Sequence, residues 1–479
     1  MPETLVRLEV EDLQRQLGEV QEILHRHKVV EDLVHRQDVP KHGLVEKLVH
    51  KQHLAEVRAR LERLHAADIA FILDALPLEE RLEVWDLVKA DRDGEILHEV
   101  SDAVRESLIK AMDSRELVAA AETLEADEIA DIAPDLPKDV IEEVVQSLPL
   151  EERDRLRSAL SYPEGTVGAL MNFDHVAVRE DMTLEAATSQ LRRLDELPDH
   201  TDQLFVIDRD QGLTGTLPLA RLIVTDLHIL VSSVAIPESV KFGPQDAAEE
   251  AANAFERYGL VSAPVVDLRG RLIGRLTVDA VVDYIRKKSA ETQLAEAGLA
   301  AEEDIFAPVL NSFKNRWSWL AINLVTAFIA SRVIGLFEDS IERLVALAAL
   351  MPIVAGIGGN SGNQTITMIV RALALAQIHG TWRKLLAKEL GVALLNGAVW
   401  GTLLGAIAYA FYGNVALGGV MALAMILNLL LAAFMGVTIP WLRARFGKDP
   451  AVGSSVLITA CTDSGGFFIF LGLATLFLV

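Results

Sequence analysis

Amide side chains and glycines interrupt an otherwise apolar stretch of this sequence. Residues 351–365 read Met-Pro-Ile-Val-Ala-Gly-Ile-Gly-Gly-Asn-Ser-Gly-Asn-Gln-Thr, and their apolar flanks make the segment long enough to cross a bilayer. Exposed carbonyls and amides are tolerated in hydrocarbon only where they line a cavity or a helix contact. The stretch could therefore be the wall of a polar pathway or a glycine-rich packing face. Asn360, Asn363 and Gln364 favour the pathway, because each amide needs partners that a packing face does not supply.

A carboxylate lies in a second apolar segment. Asp463 stands in Thr-Ala-Cys-Thr-Asp-Ser-Gly-Gly, residues 459–466, with no basic residue near it in sequence. A lone acid in mid-span costs about 2.5 to 3.5 kcal/mol on insertion scales, and such acids usually mark routes for ions or protons. The alternative is a protonated carboxyl that is hydrogen-bonded between helices. Carboxylates, amides and carbonyls offer only oxygen, which suits a hard divalent cation.

Hydropathy and charge divide the chain into a membrane part and an acidic part. Five predicted spans lie at 317–337, 344–370, 387–412, 415–440 and 452–478. Residues 311–479 contain 11 Lys/Arg and 6 Asp/Glu, a net +5, whereas the rest of the chain carries −29 of the total of −24. Basic connections predict that residues 1–310 are cytosolic and that the C-terminus is outside.

The acidic part attracts cations and argues against nucleic-acid binding. The single Cys461 excludes an intrachain disulfide framework, and the charged N-terminus does not resemble a signal peptide. Six His residues between 25 and 53 could bind a transition metal, but no carboxylate or Cys completes a tight ligand set, so solvated helix faces are the simpler interpretation.

Two kinds of repeat organise residues 64–290. Leu-Pro-Leu-Glu-Glu-Arg occurs at 76–81 and again at 148–153, which predicts stacked short helices with Pro in the first turn. Further on, one unit occurs twice: a helix, a strand that ends in Asp, a glycine turn, a second strand and another helix. The first strand of each unit ends at Asp208 or Asp267.

These motifs together resemble the MgtE magnesium channels: Gly-Gly-Asn-Ser-Gly-Asn-Gln after a Pro, the Leu-Pro helices, and a pair of units similar to CBS domains. The resemblance implies a multidomain membrane protein with an N-terminal all-α superhelical domain, tandem CBS (α/β) domains and a five-helix transmembrane domain. The expected domains are an N-terminal helical extension (1–55), an MgtE-type N domain (56–160), CBS domain 1 (161–225), CBS domain 2 (226–284), a connecting plug helix (285–312) and the pore domain (313–479).

The resemblance also implies a function. It suggests a homodimeric channel, not an enzyme, that transports Mg²⁺ across the cell inner membrane and is gated by its cytosolic domains. A cation-coupled carrier and a membrane-anchored CBS sensor are the alternatives. Regulatory Mg²⁺ and ATP or another adenine nucleotide at the CBS domains are open possibilities. The implied pore residues are Asp463, Asn363, Asn360, Gln364, Gly359 and Asp449. The implied regulatory metal ligands are Asp127, Asp131, Asp279, Asp283 and Glu291.

The tail of the second CBS-like unit departs from the family pattern. Ala280, Lys288 and Thr292 stand where the resemblance leads us to expect carboxylates, and Arg286 and Lys287 add positive charge. Because like charges disfavour a bound dication, we expect closure by Mg²⁺ to be weaker here.

Overall fold

The computed structural model describes residues 10–36, 54–194, 196–237, 240–296, 298–299, 304–374 and 382–479. The chain forms two compact units. The first comprises Met1–Lys288 and Asp304–Ala307, and the second comprises Ser289–Glu303 and Pro308–Val479.

Ten helices build the N-terminal part of the first unit, among the residues that the structure describes. They are α1 (Val10–Arg36), α2 (54–61), α3 (Ala66–Asp74), α4 (Leu78–Trp85), α5 (Asp93–Glu99), α6 (Asp102–Ile109), α7 (Ser114–Ala121), α8 (Ala126–Ile132), α9 (Lys138–Ser147) and α10 (Leu150–Ala159). One hydrophobic core runs through them, from Leu24 in α1 and Val57 in α2 to Leu156 in α10. Helix α1 therefore shares its core with the N domain, although the sequence placed a boundary at residue 55.

The repeated Leu-Pro-Leu-Glu-Glu-Arg motif is a capping device. Arg81 is fully buried, and its guanidinium donates to the carbonyls of Leu73 and Leu76, at 3.0 Å each. Arg153 donates in the same way to the carbonyl of Leu148, at 3.1 Å. Each Arg thus donates to carbonyls at the end of the preceding helix, where intrahelical donors run out, and this gives the two copies of the motif the same structural role.

Two small α/β modules complete the first unit. Their strands are β1 (Ala177–Arg179), β2 (Gln203–Ile207), β3 (Leu213–Pro218), β4 (Ser262–Val266) and β5 (Leu272–Thr277). Their helices are α11 (Leu184–Leu191), α12 (Leu219–Val224), α13 (Val231–Val234), α14 (Ala248–Tyr258) and α15 (Val278–Glu296). Strand β2 pairs parallel with β1 and antiparallel with β3, and β4 pairs antiparallel with β5. Helix α15 is continuous through residue 285, where the sequence placed the start of a separate connecting helix.

The second unit is a helical bundle. Its main elements are α16 (Val309–Gly335), α17 (Glu338–Arg343), α18 (Ala346–Ala374), α19 (Trp382–Tyr412), α20 (Val415–Arg445) and α21 (Ser454–Phe477). Helix α20 is its centre, because 56% of its most apolar 18 residues are buried, against 6% for α16.

Four of the five predicted spans meet a length and hydropathy criterion in the described residues: α16, α19, α20 and α21. Helix α18 has 29 residues but is not among them, since its Gly, Asn, Ser and Gln residues dilute the hydropathy. It also continues unbroken through Pro352. The proline removes one intrahelical hydrogen bond, and α18 nevertheless remains a single helix packed on α20 and α21.

Candidate ion pathway in the helical bundle

Three of the four glycines of α18 lie on its packed face. A Cβ atom added to Gly358 would lie 2.2 Å from Nδ2 of Asn428 in α20, and one added to Gly362 would lie 2.5 Å from Cγ1 of Ile458 in α21. Gly359 is also buried, with Thr462 of α21 beside it. The packing interpretation therefore fits Gly358 and Gly362. Gly359, which the resemblance grouped with the pore residues, lies near α21 within one chain, and its role in the pore stays a prediction.

The amides of α18 lie elsewhere on the same helix. Gly356, Asn360 and Gln364 are exposed and follow one another at intervals of four residues, so they form one stripe. Among the described residues, neither the Asn360 nor the Gln364 side chain has a hydrogen-bond partner. Asn363 lies at the border of the stripe, where its Oδ1 accepts a hydrogen bond from Oγ of Ser455 in α21 at 3.1 Å. The structure thus separates a glycine face from an amide stripe.

Asp463 lies near the middle of α21 and is half-buried. Within the described part of the chain its carboxylate has no hydrogen-bond or ion-pair partner. Its neighbour Thr462 is fully buried and donates to the carbonyls of Ile458 and Thr459. The alternative of a carboxyl hydrogen-bonded between helices therefore has no support within the described residues of one chain.

Asp449 lies in the connection between α20 and α21 and is exposed. Its Oδ1 accepts a hydrogen bond from the backbone N–H of Ala451 at 2.8 Å, and its carbonyl accepts one from Nε of Arg443 at 2.9 Å. Asp449 therefore shapes the turn that leads into α21, and its second carboxylate oxygen is available to a cation.

Asn428 is a buried polar residue of this region that sequence reasoning missed. It is fully buried in α20, and its Nδ2 donates to the carbonyl of Val354 in α18 at 2.8 Å. The available signal was a single amide within an apolar span, a residue type that is rare in hydrocarbon without a partner.

The predicted regulatory acids of the first unit lie at separate positions. Asp127 and Asp131 share α8, as their spacing predicted. Burial, with added repulsion from Glu125 and Glu128, raises the pKa of Asp127 to about 7. Asp131 instead lies 3.8 Å from Nε2 of His98 and 4.0 Å from Nη2 of Arg105.

The remaining regulatory acids are on α15. Asp279 lies 3.8 Å from Nε2 of His200. Burial raises the pKa of Asp283, and the nearby Asp279 and Asp131 carboxylates raise it further. Glu291 belongs to the part of α15 that falls in the second unit. The described residues contain no group of three or more His, Cys, Asp or Glu side chains that could hold a metal ion, so one chain does not gather the predicted ligands into a site.

Basic side chains occupy the acidic surface between α6 and α15. Nζ of Lys287 lies 2.9 Å from Oδ2 of Asp102. Nη1 of the buried Arg105 lies 3.2 Å from Asp102 and 3.3 Å from Asp135. Lys287 thus fulfils the expectation of added positive charge in this tail, whereas the contribution of Arg105 could not be seen from local sequence.

Comparisons with known proteins agree with this architecture. Residues 351–473 match a family model described as MgtE, divalent cation transporter, residues 64–165 match the MgtE intracellular N domain, and residues 231–287 match the CBS domain. The magnesium transporter MgtE of Thermus thermophilus is 31% identical over 429 residues, which is 88% of this chain and 95% of that protein. The chain belongs to the MgtE family. The magnesium transporter MgtE of Bacillus subtilis is 25% identical over 428 residues, 89% of this chain and 94% of that one.

Solved structures show similarity to the cytosolic part. The cytosolic domain of the Mg²⁺ channel MgtE in complex with ATP is 30% identical, covers 47% of this chain and 93% of that chain, and has a TM-score of 0.43. The soluble part of a magnesium transporter is 19% identical, covers 58% of this chain and 100% of that chain, and has a TM-score of 0.45. The MgtE match at 351–473 includes the amide stripe, Asp449 and Asp463, whereas α1 and α2 precede the MgtE N-domain match.

Proposed function

We propose that this MgtE-family chain transports Mg²⁺ across the cytoplasmic membrane, through a channel formed by two copies of the chain. Two observations carry the proposal: the Asp463 carboxylate of α21 has no partner among the described residues, and the neighbouring α18 presents an exposed amide stripe. All of these groups offer oxygen, which is what Mg²⁺ and its tightly held water molecules accept as partners.

A second copy explains the exposure of these groups. Asn360 and Gln364 would face lipid in an isolated bundle, where an amide without partners costs several kcal/mol. If α18 and α21 of two chains face each other, the amides line a hydrated path, and two Asp463 carboxylates provide −2 along it. The pathway then lies at the dimer interface between the second and fifth spans.

The cytosolic domains would regulate this path. The basic connections favour cytosolic N-terminal domains and an external C-terminus. Binding of Mg²⁺ at Asp127, Asp131, Asp279, Asp283 and Glu291, and of an adenine nucleotide at the CBS domains, stay predictions from the resemblance. Lys287 and Arg105 already neutralise part of the surrounding acid, so closure by cytosolic Mg²⁺ should need higher concentrations than an all-acidic surface would. Acids at Ala280, Lys288 and Thr292 should increase inhibition by Mg²⁺.

The decisive experiment measures Mg²⁺ flux into vesicles that contain the purified full chain. Asp463→Ala and Asp463→Asn should abolish most of the flux, because both remove the charge that offsets dehydration of the ion. Asp339→Asn, in the short helix α17, is the matched control and should keep wild-type flux. Unchanged flux in both Asp463 variants would refute the pathway, and saturable exchange against Na⁺ or H⁺ would identify a carrier instead of a channel.

A further inference from the structure

Asn428 joins the two helices that carry the proposed pathway. Its amide lies between α18 and α21, where it is fully buried, and its Nδ2 hydrogen-bonds the Val354 carbonyl of α18. Both neighbouring helices present a glycine to it. A Cβ on Gly358 would lie 2.2 Å from Nδ2, and a Cβ on Gly466 of α21 would lie 2.8 Å from the same atom. No other residue type could occupy either position without moving the amide or a helix.

The two glycines lie beside the proposed ion-contacting residues. Gly358 precedes Asn360 by two residues, and Gly466 follows Asp463 by three residues, which is about one helical turn. A displacement of the Asn428 amide would therefore shift α18 and α21, the two helices that carry the proposed ion-contacting residues. Asn428 itself has no exposed surface in the bundle, so it differs from the amides of the exposed stripe.

The buried amide is also incompletely satisfied. Among the described residues its Oδ1 has no conventional hydrogen-bond partner, although it is shielded from solvent. A Cβ on Gly466 would lie 3.0 Å from this oxygen, so the amide is enclosed by α21 on this side. The amide thus makes one hydrogen bond, to the Val354 carbonyl, and leaves its oxygen unpaired, so its net contribution to stability should be small.

We propose that Asn428 is a positioning residue for ion passage: its amide, seated between Gly358 and Gly466, fixes the spacing between the amide helix α18 and the carboxylate helix α21. The proposal rests on the transport function proposed above. It assigns Gly358 of the Gly-Gly-Asn-Ser-Gly-Asn-Gln motif to this contact and leaves the exposed amides to the ion.

The first test separates flux from stability in the full chain. Asn428→Leu should unfold at the wild-type temperature or above it, because the unpaired oxygen is removed. Its Mg²⁺ flux should nevertheless fall by about tenfold, since small displacements of positioned groups have effects of that size or larger. Leu429→Met, a volume-conserving change at the adjacent buried position of α20, is the matched control and should preserve both properties.

The second test uses size exchange. Gly358→Ala should lower the unfolding temperature, because its methyl group collides with the Asn428 amide. Asn428→Ala in the same chain makes room for it, so the double variant should be more stable than additivity of the two single variants predicts.

Wild-type flux in Asn428→Leu would overturn the positioning role while leaving the transport function intact. A parallel loss of stability and flux in that variant would also overturn it, since it would indicate general damage. Additive losses in the size exchange would show that the two residues do not share the contact. A wild-type chain that carries no Mg²⁺ would refute the transport function, and the positioning role with it.

Discussion

Asp127 should make the stability of the cytosolic unit depend on pH. Burial raises its pKa from 3.8 to about 7, and the Glu125 and Glu128 carboxylates add to the increase. Between these two values the folded chain holds a proton that the unfolded chain has released. The contribution of Asp127 to stability is therefore complete below pH 3.8, decreases as pH rises through this window and is lost above pH 7.

The magnitude follows from the same two values. A rise of this size corresponds to at most about 4 kcal/mol, and the partial exposure of the side chain reduces it to about 1 to 2 kcal/mol. Asp127→Asn removes the charge but keeps the shape of the side chain. The variant should match the wild type near pH 4 and unfold at a higher temperature at pH 8, by about 2 °C for each kcal/mol in a unit of this size.

The assay is thermal unfolding of the full-length protein in detergent, with a chelator present, from pH 4 to pH 8. Asp131→Asn is the control on the same helix, because Asp131 is more exposed and lies beside His98 and Arg105. It should not gain stability at high pH. Parallel pH profiles for the wild type and Asp127→Asn would refute the assignment of the unfavourable buried charge to Asp127.

Two ion pairs of the cytosolic unit should differ strongly in their contribution to the free energy of unfolding. Arg81→Met should destabilise the protein by about 3 to 5 kcal/mol, because it leaves Asp304 and two helix-end carbonyls without their buried donor. A loss of less than about 1 kcal/mol, measured by denaturant unfolding, would contradict this prediction. Lys287→Met should cost only about 0 to 1 kcal/mol, because Lys287 is 53% exposed beside Asp102, and a larger loss in the same measurement would show that the pair holds α6 and α15 together.

The strands and their turns could be predicted because their signals are local. The two strand-ending aspartates each follow a β-branched run, and each accepts two backbone hydrogen bonds in the turn. Oδ1 of Asp208 accepts from Asp210 and Gly212 at 2.8 Å, and Asp267 repeats this arrangement. The contact between Arg81 and Asp304 joins residues 223 positions apart, and nothing near either residue in the sequence indicates it.

The sequence predicted which residue types belong to the candidate pathway, but not on which face of α18 each residue lies. Residue type did not sort the residues after Pro352 by helix face, so Gly359 was grouped with the amides. Because α18 is continuous, Gly356, Asn360 and Gln364 fall on one side, whereas Gly358 and Gly362 fall on another. The sequence could have provided this division had the helix been assumed continuous.

The division matters for how changes to the motif should be interpreted. Loss of transport after substitution of Gly358 or Gly362 does not identify an ion contact, because the added methyl group would collide with α20 or α21. Loss after substitution of Asn360 or Gln364 carries more information, since both side chains are exposed and their replacement leaves the helix contacts in place. The exposed amides and Asp463 are therefore the positions at which transport and stability can be varied separately, and an ion-binding role should be assigned from them alone.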